Sequence, residues 1–219
     1  MHRSPLYQSE PLEVEEFVRS MRHGYLTATA TNGYHSVSIL PFIKDGDEIE
    51  LHCVRADPTF VALQADCRVT FVVSDFLAAS PHQWVDPNDA GRATLHFRAV
   101  QYSCEASWST NPADVAATLR RMVQDYDGPG AYQPIEDGSF YGPRLARLAT
   151  VRLRILATDA KFKVGPAGNA RLKLEVADRL RERGGPGDDR AASVIERSAV
   201  SPSASVREHA ISPPLTASP

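Results

Sequence analysis

Two histidines of this chain stand close to arginines, in a pattern that suits an anionic planar ligand. His52 precedes Arg55 in HCVRADP, and His96 alternates with Arg98 in TLHFRAV. Because residues two apart on a strand point to the same face, each His/Arg pair could face one side of its strand or strand end. The alternative is that these arginines are solvated or ion-paired strand residues.

A third histidine, His82, neighbours Trp84 in SPHQWVDP, which adds an aromatic ring to the candidate chemistry. None of the seven histidines has HxxxH or HExxH spacing on a predicted helix. A lone strand histidine is more often a surface or hydrogen-bonded residue than a metal ligand. The sequence therefore offers His52, His82 and His96 as candidates without choosing among them.

A candidate anion site follows the last predicted strand, in KFKVGPAGNARLK. Lys161 and Lys163 place two cations on one strand face, and Gly165 and Gly168 follow in a turn whose backbone N–H groups could also bind an anion. Phosphate, carboxylate or propionate would fit such a site, although a run of charges is usually a solvated face. No P-loop, GxGxxG after a first strand or GxSxG elbow is present, which disfavours ATP, NAD and serine-hydrolase functions.

Local signals predict the elements that must position these residues. Apolar spacing after Pro11 predicts a helix that ends near Gly24. Asn32-Gly33 predicts a tight hairpin, and Asp45-Gly46 predicts a second turn. Asp57-Pro58 and Asn111-Pro112 have the form of an N-cap followed by a first helical residue. The second of these helices carries an apolar face at helical spacing, formed by Val115, Leu119, Met122 and Tyr126. The predicted strands are YLTATAT, HSVSILPFI, EIELHCVR, RVTFVVS, RATLHFRAVQYSCEASW and TVRLRIL, and a last helix covers about Ala170 to Arg183.

The strand EIELHCVR alternates between two faces. One face carries Ile49, Leu51 and Cys53, and the other carries Glu48, Glu50 and His52. We therefore expect His52 to point away from the inward face. Mostly antiparallel strands with inserted helices predict an α+β, mainly β fold, a small barrel with peripheral helices.

Composition bounds the possible functions. The chain has 219 residues with 24 Lys and Arg against 27 Asp and Glu, so no basic field for nucleic acid is expected. No window approaches the roughly 20 apolar residues of a membrane span, and we expect a cytoplasmic protein. The three cysteines form no CxxC, and without CxxCH a haem would be held non-covalently. Residues 1–197 are expected to form one domain, and 198–219 a disordered tail.

Several segments together resemble the PaiB-like proteins, a family identified as FMN-binding negative transcriptional regulators with a split-barrel fold. LHCVRADPTFVAL resembles the family's HxARxNPxW segment, and ASPHQWVDP resembles its VSPSWYP loop. AKFKVGPAGN and LRERGGPGD are similar to its KFKLSQN and terminal helix. The resemblance runs from about Leu12 to Arg197 and implies a homodimeric split barrel that clasps a flat cofactor.

The chain departs from the family pattern in two segments that are typical of the flavin-binding members. Where the family has TWNYxAV this chain has TLHFRAV, with Leu95, His96 and Phe97 replacing Trp, Asn and Tyr, and the SQN after KFK has become GPAGN. These changes resemble the family's piperazate synthase branch, haem-dependent enzymes that form a nitrogen–nitrogen bond in N5-hydroxyornithine. The resemblance thus implies haem b as cofactor, with FMN as the alternative.

The resemblance also implies roles for the candidate residues. His52 occupies the family's shared histidine position and is the first candidate for the iron ligand; His96 and His82 come next, as ligand or distal acid/base. Cations would pair with the haem propionates or the substrate carboxylate, namely Arg55, Arg98, Lys161 and Lys163, and Trp84 would contact the cofactor. Two other functions stay open: an FMN-binding oxidoreductase or flavin reductase, and a regulatory protein that senses haem or flavin without turnover.

Overall fold

The computed structural model of this chain describes residues 9–138, 140–167 and 169–200. Its strands are β1 (Gly24–Thr29), β2 (His35–Leu40), β3 (Phe42–Asp45), β4 (Glu48–Val54), β5 (Arg68–Ser80), β6 (Thr94–Ser109) and β7 (Leu148–Lys163). Its helices are α1 (Pro11–Ser20), α2 (Pro58–Ala65), α3 (Pro112–Asp127), α4 (Gly142–Leu145), α5 (Ala170–Arg183) and α6 (Asp188–Val200). These elements confirm the predicted α+β, mainly β class.

The described residues form two compact units. The barrel unit comprises residues 14–73, 100–138 and 140–159, and the helical unit comprises 9–13, 74–99, 160–167 and 169–200. The long strands β5, β6 and β7 each contribute residues to both units. The single domain that the sequence predicts over residues 1–197 stays a prediction.

The order in which the strands pair closes the sheet around the core of the barrel unit. Among the described residues, seven strands pair in the order β2-β1-β5-β6-β7-β4-β3. β2 and β3 are the two ends of that order, yet Pro41 alone separates them along the chain. Because the two ends are covalently joined, the sheet must curl round, and proline suits the break since it has no N–H to donate. The predicted split β-barrel is confirmed.

Local turn chemistry produces the hairpins. β1 pairs with β2 from Gly24↔Leu40 to Thr29↔His35, and Gly33 in the connection has a φ of 84° that favours glycine. Gly46, with a φ of 54°, is the corresponding turn glycine between β3 and β4. Both turns are where the sequence predicts them.

The inward faces of the strands form the barrel core. Ile49 pairs with Leu153 and Leu51 with Val151 across β4 and β7, and all four side chains are fully buried. Burial of each such side chain is worth roughly 1.5–3 kcal/mol relative to exposure. The predicted inward face of β4 is therefore confirmed.

Capping residues define the ends of several helices. Asp57 accepts a hydrogen bond from the Thr59 N–H at the start of α2, and Asn111 accepts one from the Ala113 N–H at the start of α3. Gly184, in the left-handed conformation, ends α5 at the predicted place. The sequence interpretation missed α6, which follows the glycines of LRERGGPGD.

The predicted tail boundary differs from the structure. Ser198, Ala199 and Val200 belong to α6, whose buried residues Ala191, Ala192, Val194 and Ile195 recur at helical spacing. Residues 201–219, the rest of that prediction, lie outside the described residues. The described helices include none that is long and apolar enough to cross a membrane.

Candidate cofactor site

The predicted site residues divide between the two units. His52 and Arg55 lie in the barrel unit, and the others lie in the helical unit: His82, Trp84, His96, Arg98, Lys161 and Lys163.

His52 lies on β4 with its ring half-buried beneath α3. Its Nδ1 is 3.0 Å from the Met122 sulfur. Within the described part of the chain, its Nε2 has no hydrogen-bond partner. Burial lowers the pKa of His52, which favours the neutral imidazole that metals bind. One ring nitrogen is thus held and the other is available.

The face of β4 that carries His52 lies opposite the inward face of the strand, yet it is largely covered. Glu50, two residues earlier on that face, is only 4% exposed. It accepts a hydrogen bond of 2.7 Å from Thr118 Oγ1 and forms an ion pair with Arg121. Thr118 Oγ1 is also 2.6 Å from Thr150 Oγ1 on β7. The prediction was incomplete because α3, more than sixty residues away in sequence, covers this face.

Arg55 lies just beyond β4 and is exposed. Its Nη1 donates a 3.3 Å hydrogen bond to the Ala146 carbonyl, and its backbone N–H donates to the Arg147 carbonyl at 2.9 Å. No carboxylate in residues 9–138, 140–167 or 169–200 forms a salt bridge with it. The guanidinium is therefore able to pair with an anionic group of a ligand.

His96 is the most completely enclosed of the candidates, with 0% of the residue exposed. Its Nδ1 accepts a 3.1 Å hydrogen bond from the Gly165 N–H, so Nε2 carries the proton and donates to Ser80 Oγ at 2.9 Å. Burial, with smaller contributions from Lys163 and Arg183, lowers the pKa of His96 to about 4. In this arrangement neither nitrogen is available to iron or substrate, which favours a structural role over the predicted ligand or acid/base role.

The Gly165 turn differs from the predicted anion site for the same reason. The Gly165 N–H is donated to His96 and cannot also bind an external anion. Lys161 and Lys163 lie at the end of β7, both half-buried, on either side of buried Phe162. Gly168 lies outside the described residues.

Arg98 forms part of an internal charge cluster. Its Nη2 donates a 2.8 Å hydrogen bond to Asp75 Oδ2, and Arg190 on α6 donates to both Asp75 oxygens at 2.8 and 2.7 Å. Burial raises the pKa of the Asp75 carboxyl, but hydrogen bonds from Arg190 and Arg98 outweigh it and hold that pKa below its usual value. Arg98 thus balances a buried carboxylate, which the prediction of a propionate partner did not include.

His82 and Trp84 form a short 3₁₀ turn, and both are half-buried. The Arg183 guanidinium carbon lies 5.1 Å from the centre of the Trp84 ring, a cation–π contact. Arg183 also forms a salt bridge with buried Asp188 and donates to the Ala79 carbonyl at 2.8 Å. The arginine on Trp84 comes from α5, so sequence proximity gave no sign of it.

The described residues contain no site for a metal ion held by three or more side chains. No cluster of three or more His, Cys, Asp or Glu side chains there has the geometry of a metal site. A haem iron takes four ligands from its porphyrin and needs one imidazole from the protein. His52, with Nε2 available and the exposed Arg55 three residues further on, fits that requirement.

The fold and site together define a split-barrel protein with a candidate cofactor histidine on its β4 strand. Residues 1–155 match the family model "Putative FMN-binding domain". The chain belongs to this FMN-binding split-barrel family, which confirms the resemblance seen in the sequence. No curated protein matches the sequence closely enough to count as a relative.

Solved structures with the same fold extend the comparison. A flavocytochrome from Azotobacter vinelandii has a TM-score of 0.59 at 18% identity, with 77% of this chain and 75% of that chain covered. An FAD and haem binding protein from Mycobacterium smegmatis has a TM-score of 0.55 at 13% identity, with coverage of 81% and 80%. A conserved hypothetical protein from Mycobacterium tuberculosis has a TM-score of 0.54 at 18% identity, with coverage of 74% and 91%.

Proposed function

We propose that this chain is a haem-dependent piperazate synthase, which cyclises L-N5-hydroxyornithine to L-piperazic acid. The observation that carries the proposal is the His52 ring, whose Nδ1 faces the Met122 sulfur while Nε2 has no partner among the described residues. The sequence departures from the flavin pattern at Leu95, His96 and Phe97 support haem over FMN. Other proteins with this fold bind haem, as the name of the M. smegmatis protein states.

The reaction balances without an external oxidant or reductant. The α-amine nitrogen forms a bond to N5, the N5–O bond breaks, and the hydroxyl leaves as one water with the single proton that the α-amine loses. Bound haem would supply a Lewis-acidic iron that polarises the N–OH group. His52 would hold the haem through Nε2. The exposed Arg55 would pair with a haem propionate or with the substrate carboxylate.

A base must keep the α-amine of the substrate neutral, because only the neutral amine can attack N5. The enclosure of His96 in two hydrogen bonds argues against it in this role. His82, half-buried on its 3₁₀ turn, is the other histidine predicted as iron ligand or distal acid/base.

The test has two stages. Purified protein mixed with haem should give a single intense Soret band, and the loaded protein should convert N5-hydroxyornithine to a product that has lost one water by mass spectrometry. His52→Ala should lose the Soret band, whereas His35→Ala, a matched change of an exposed strand histidine, should keep it. If the protein binds haem but forms no product, the proposed synthase activity is refuted, and the function as a haem-sensing regulatory protein stays open.

An FMN-binding oxidoreductase is the second candidate, because membership of the family favours it directly. The exposed Arg55 would then bind the FMN phosphate. A two-banded yellow spectrum from the purified protein, with no Soret band on haem addition, would establish this alternative over haem.

We further propose that the protein is a homodimer through the outer face of β2. Val37 and Ile39 point outward there, 58% and 63% exposed, and Ile39 pairs with Tyr25 on β1. A second copy of this face would cover apolar residues that are costly to leave in water. Light scattering should give twice the chain mass for the wild type and the single mass for Ile39→Lys; an unchanged mass for the variant would move the interface elsewhere.

A further inference from the structure

Two residues on β4 face two residues on α3 at matching spacings. Glu50 and His52 are two apart on a strand, a separation of about 6.6 Å, and Thr118 and Met122 are four apart on a helix, about 6 Å. Glu50 contacts Thr118, and His52 contacts Met122. The helix therefore lies in register with the strand, one pair beside the other.

The first pair fixes that register. Glu50 and Thr118 are 4% and 1% exposed, and Thr118 Oγ1 is within hydrogen-bond distance of both Glu50 Oε1 and Thr150 Oγ1. Arg121 pairs with the other Glu50 oxygen. Sliding α3 along β4 would leave this buried carboxylate without its partners, which is strongly unfavourable. The buried network thus keeps Met122 at one position relative to His52.

The second pair sets the tautomer of His52. A thioether sulfur can accept a hydrogen bond but has no proton to donate, so a bond between Nδ1 and the Met122 sulfur requires the proton on Nδ1. In a neutral imidazole the lone pair is then on Nε2. Met122 is itself buried, so no water competes for Nδ1 from that side.

We propose that Met122 is a positioning residue for haem, which holds His52 as the Nδ1–H tautomer and presents the Nε2 lone pair to the iron; the haem part rests on the function proposed above. Histidine ligands generally donate their second N–H to a carboxylate or carbonyl, which makes the imidazole a stronger donor. A thioether accepts more weakly and leaves the iron more electron-poor. An electron-poor iron is the better Lewis acid for an N–OH group.

The first test uses the haem-free full-length protein. Nitrogen-15 shifts of His52 should report the Nδ1–H tautomer in the wild type and a mixture in Met122→Leu, which keeps the volume and loses the acceptor. Met122→Gln, whose amide oxygen can accept, should restore the tautomer. A wild-type ring protonated on Nε2 would overturn the inference whether or not the protein binds haem.

The second test uses the haem-loaded protein. Met122→Leu should bind haem about tenfold or more weakly and lower the iron–histidine stretching frequency of the ferrous form. Met122→Glu should raise that frequency and lower the midpoint potential, because a carboxylate accepts more strongly. Val115→Ala, a matched change in the buried face of α3, should reduce stability without moving either quantity.

The outcomes separate the inference from the proposed function. If the wild type has the Nδ1–H tautomer but binds no haem, the proposed function fails, and so does the haem role of Met122, while the tautomer assignment holds. If His52→Ala loses haem but Met122→Leu and Met122→Glu match the wild type in affinity, frequency and potential, the positioning role is wrong and the haem ligand stands.

Discussion

His96→Phe removes both hydrogen bonds of a fully buried imidazole while keeping a ring of similar size. The Gly165 N–H and the Ser80 hydroxyl would each lose their partner. A buried polar group left without a partner costs about 1–3 kcal/mol. With two such groups, we expect His96→Phe to lower the free energy of unfolding at pH 7.5 by about 2–6 kcal/mol.

The same substitution should also change the pH dependence of stability. Above pH 6.5 His96 is neutral in both folded and unfolded chains, so it adds no pH dependence. As the pH falls from 6.5 towards 4, the unfolded chain binds a proton that the folded chain excludes, and stability is lost. At about 1.4 kcal/mol per pKa unit, this loss reaches about 3 kcal/mol near pH 4 and about 2 kcal/mol at pH 5.0.

Urea unfolding at pH 7.5 and pH 5.0 measures both effects. The wild type should lose about 2 kcal/mol more between the two pH values than His96→Phe, since the variant has no imidazole to titrate. His35→Phe, at an exposed strand histidine, is the matched control and should change stability by less than about 0.5 kcal/mol. Parallel losses in the wild type and His96→Phe would refute a buried neutral His96.

Two further changes test the helical unit. Gly165→Ala should lower the melting temperature more than Gly33→Ala does: both glycines have positive φ, but only at 165 would a Cβ lie 2.9 Å from the Lys173 side chain and 3.1 Å from Ile195. Equal decreases in melting temperature for the two variants would mean that Lys173 and Ile195 can move away from the new Cβ without a loss of stability. Asp75→Asn should destabilise by about 3 kcal/mol in urea, because two arginines lose a buried carboxylate. A change below about 0.5 kcal/mol would show that the cluster is solvated.

Much of the fold could be predicted because its signals are local. The glycine turns at 33 and 46 and the caps at Asp57 and Asn111 depend on residues within one turn of each other. The alternation of β4 correctly gave its inward face. Helix α6 was missed because the glycines at 184 and 185 end the last predicted helix, although Ala191, Ala192, Val194 and Ile195 carry a helical spacing.

The candidate site could be predicted only in part. The sequence selected His52 and Arg55 and placed His52 away from the barrel interior. Met122 was already on the predicted apolar face of α3, yet nothing in the sequence indicated that its sulfur would lie 3.0 Å from a histidine 70 residues away. A contact between distant segments depends on how two elements pack, and no local pattern encodes that register.

By itself the sequence determined the class of this protein: strand alternation, turn glycines and the run of family-like segments led to a split barrel with histidine and arginine at a candidate cofactor position. Tertiary structure alone decided which of the two strand histidines, His52 or His96, keeps an available nitrogen. His96 and His52 both alternate along strands beside arginines, but Ser80 and Gly165 close on both nitrogens of His96, whereas Met122 occupies only one nitrogen of His52. The difference arises from packing partners that chain folding brings together from 16 to 70 residues away.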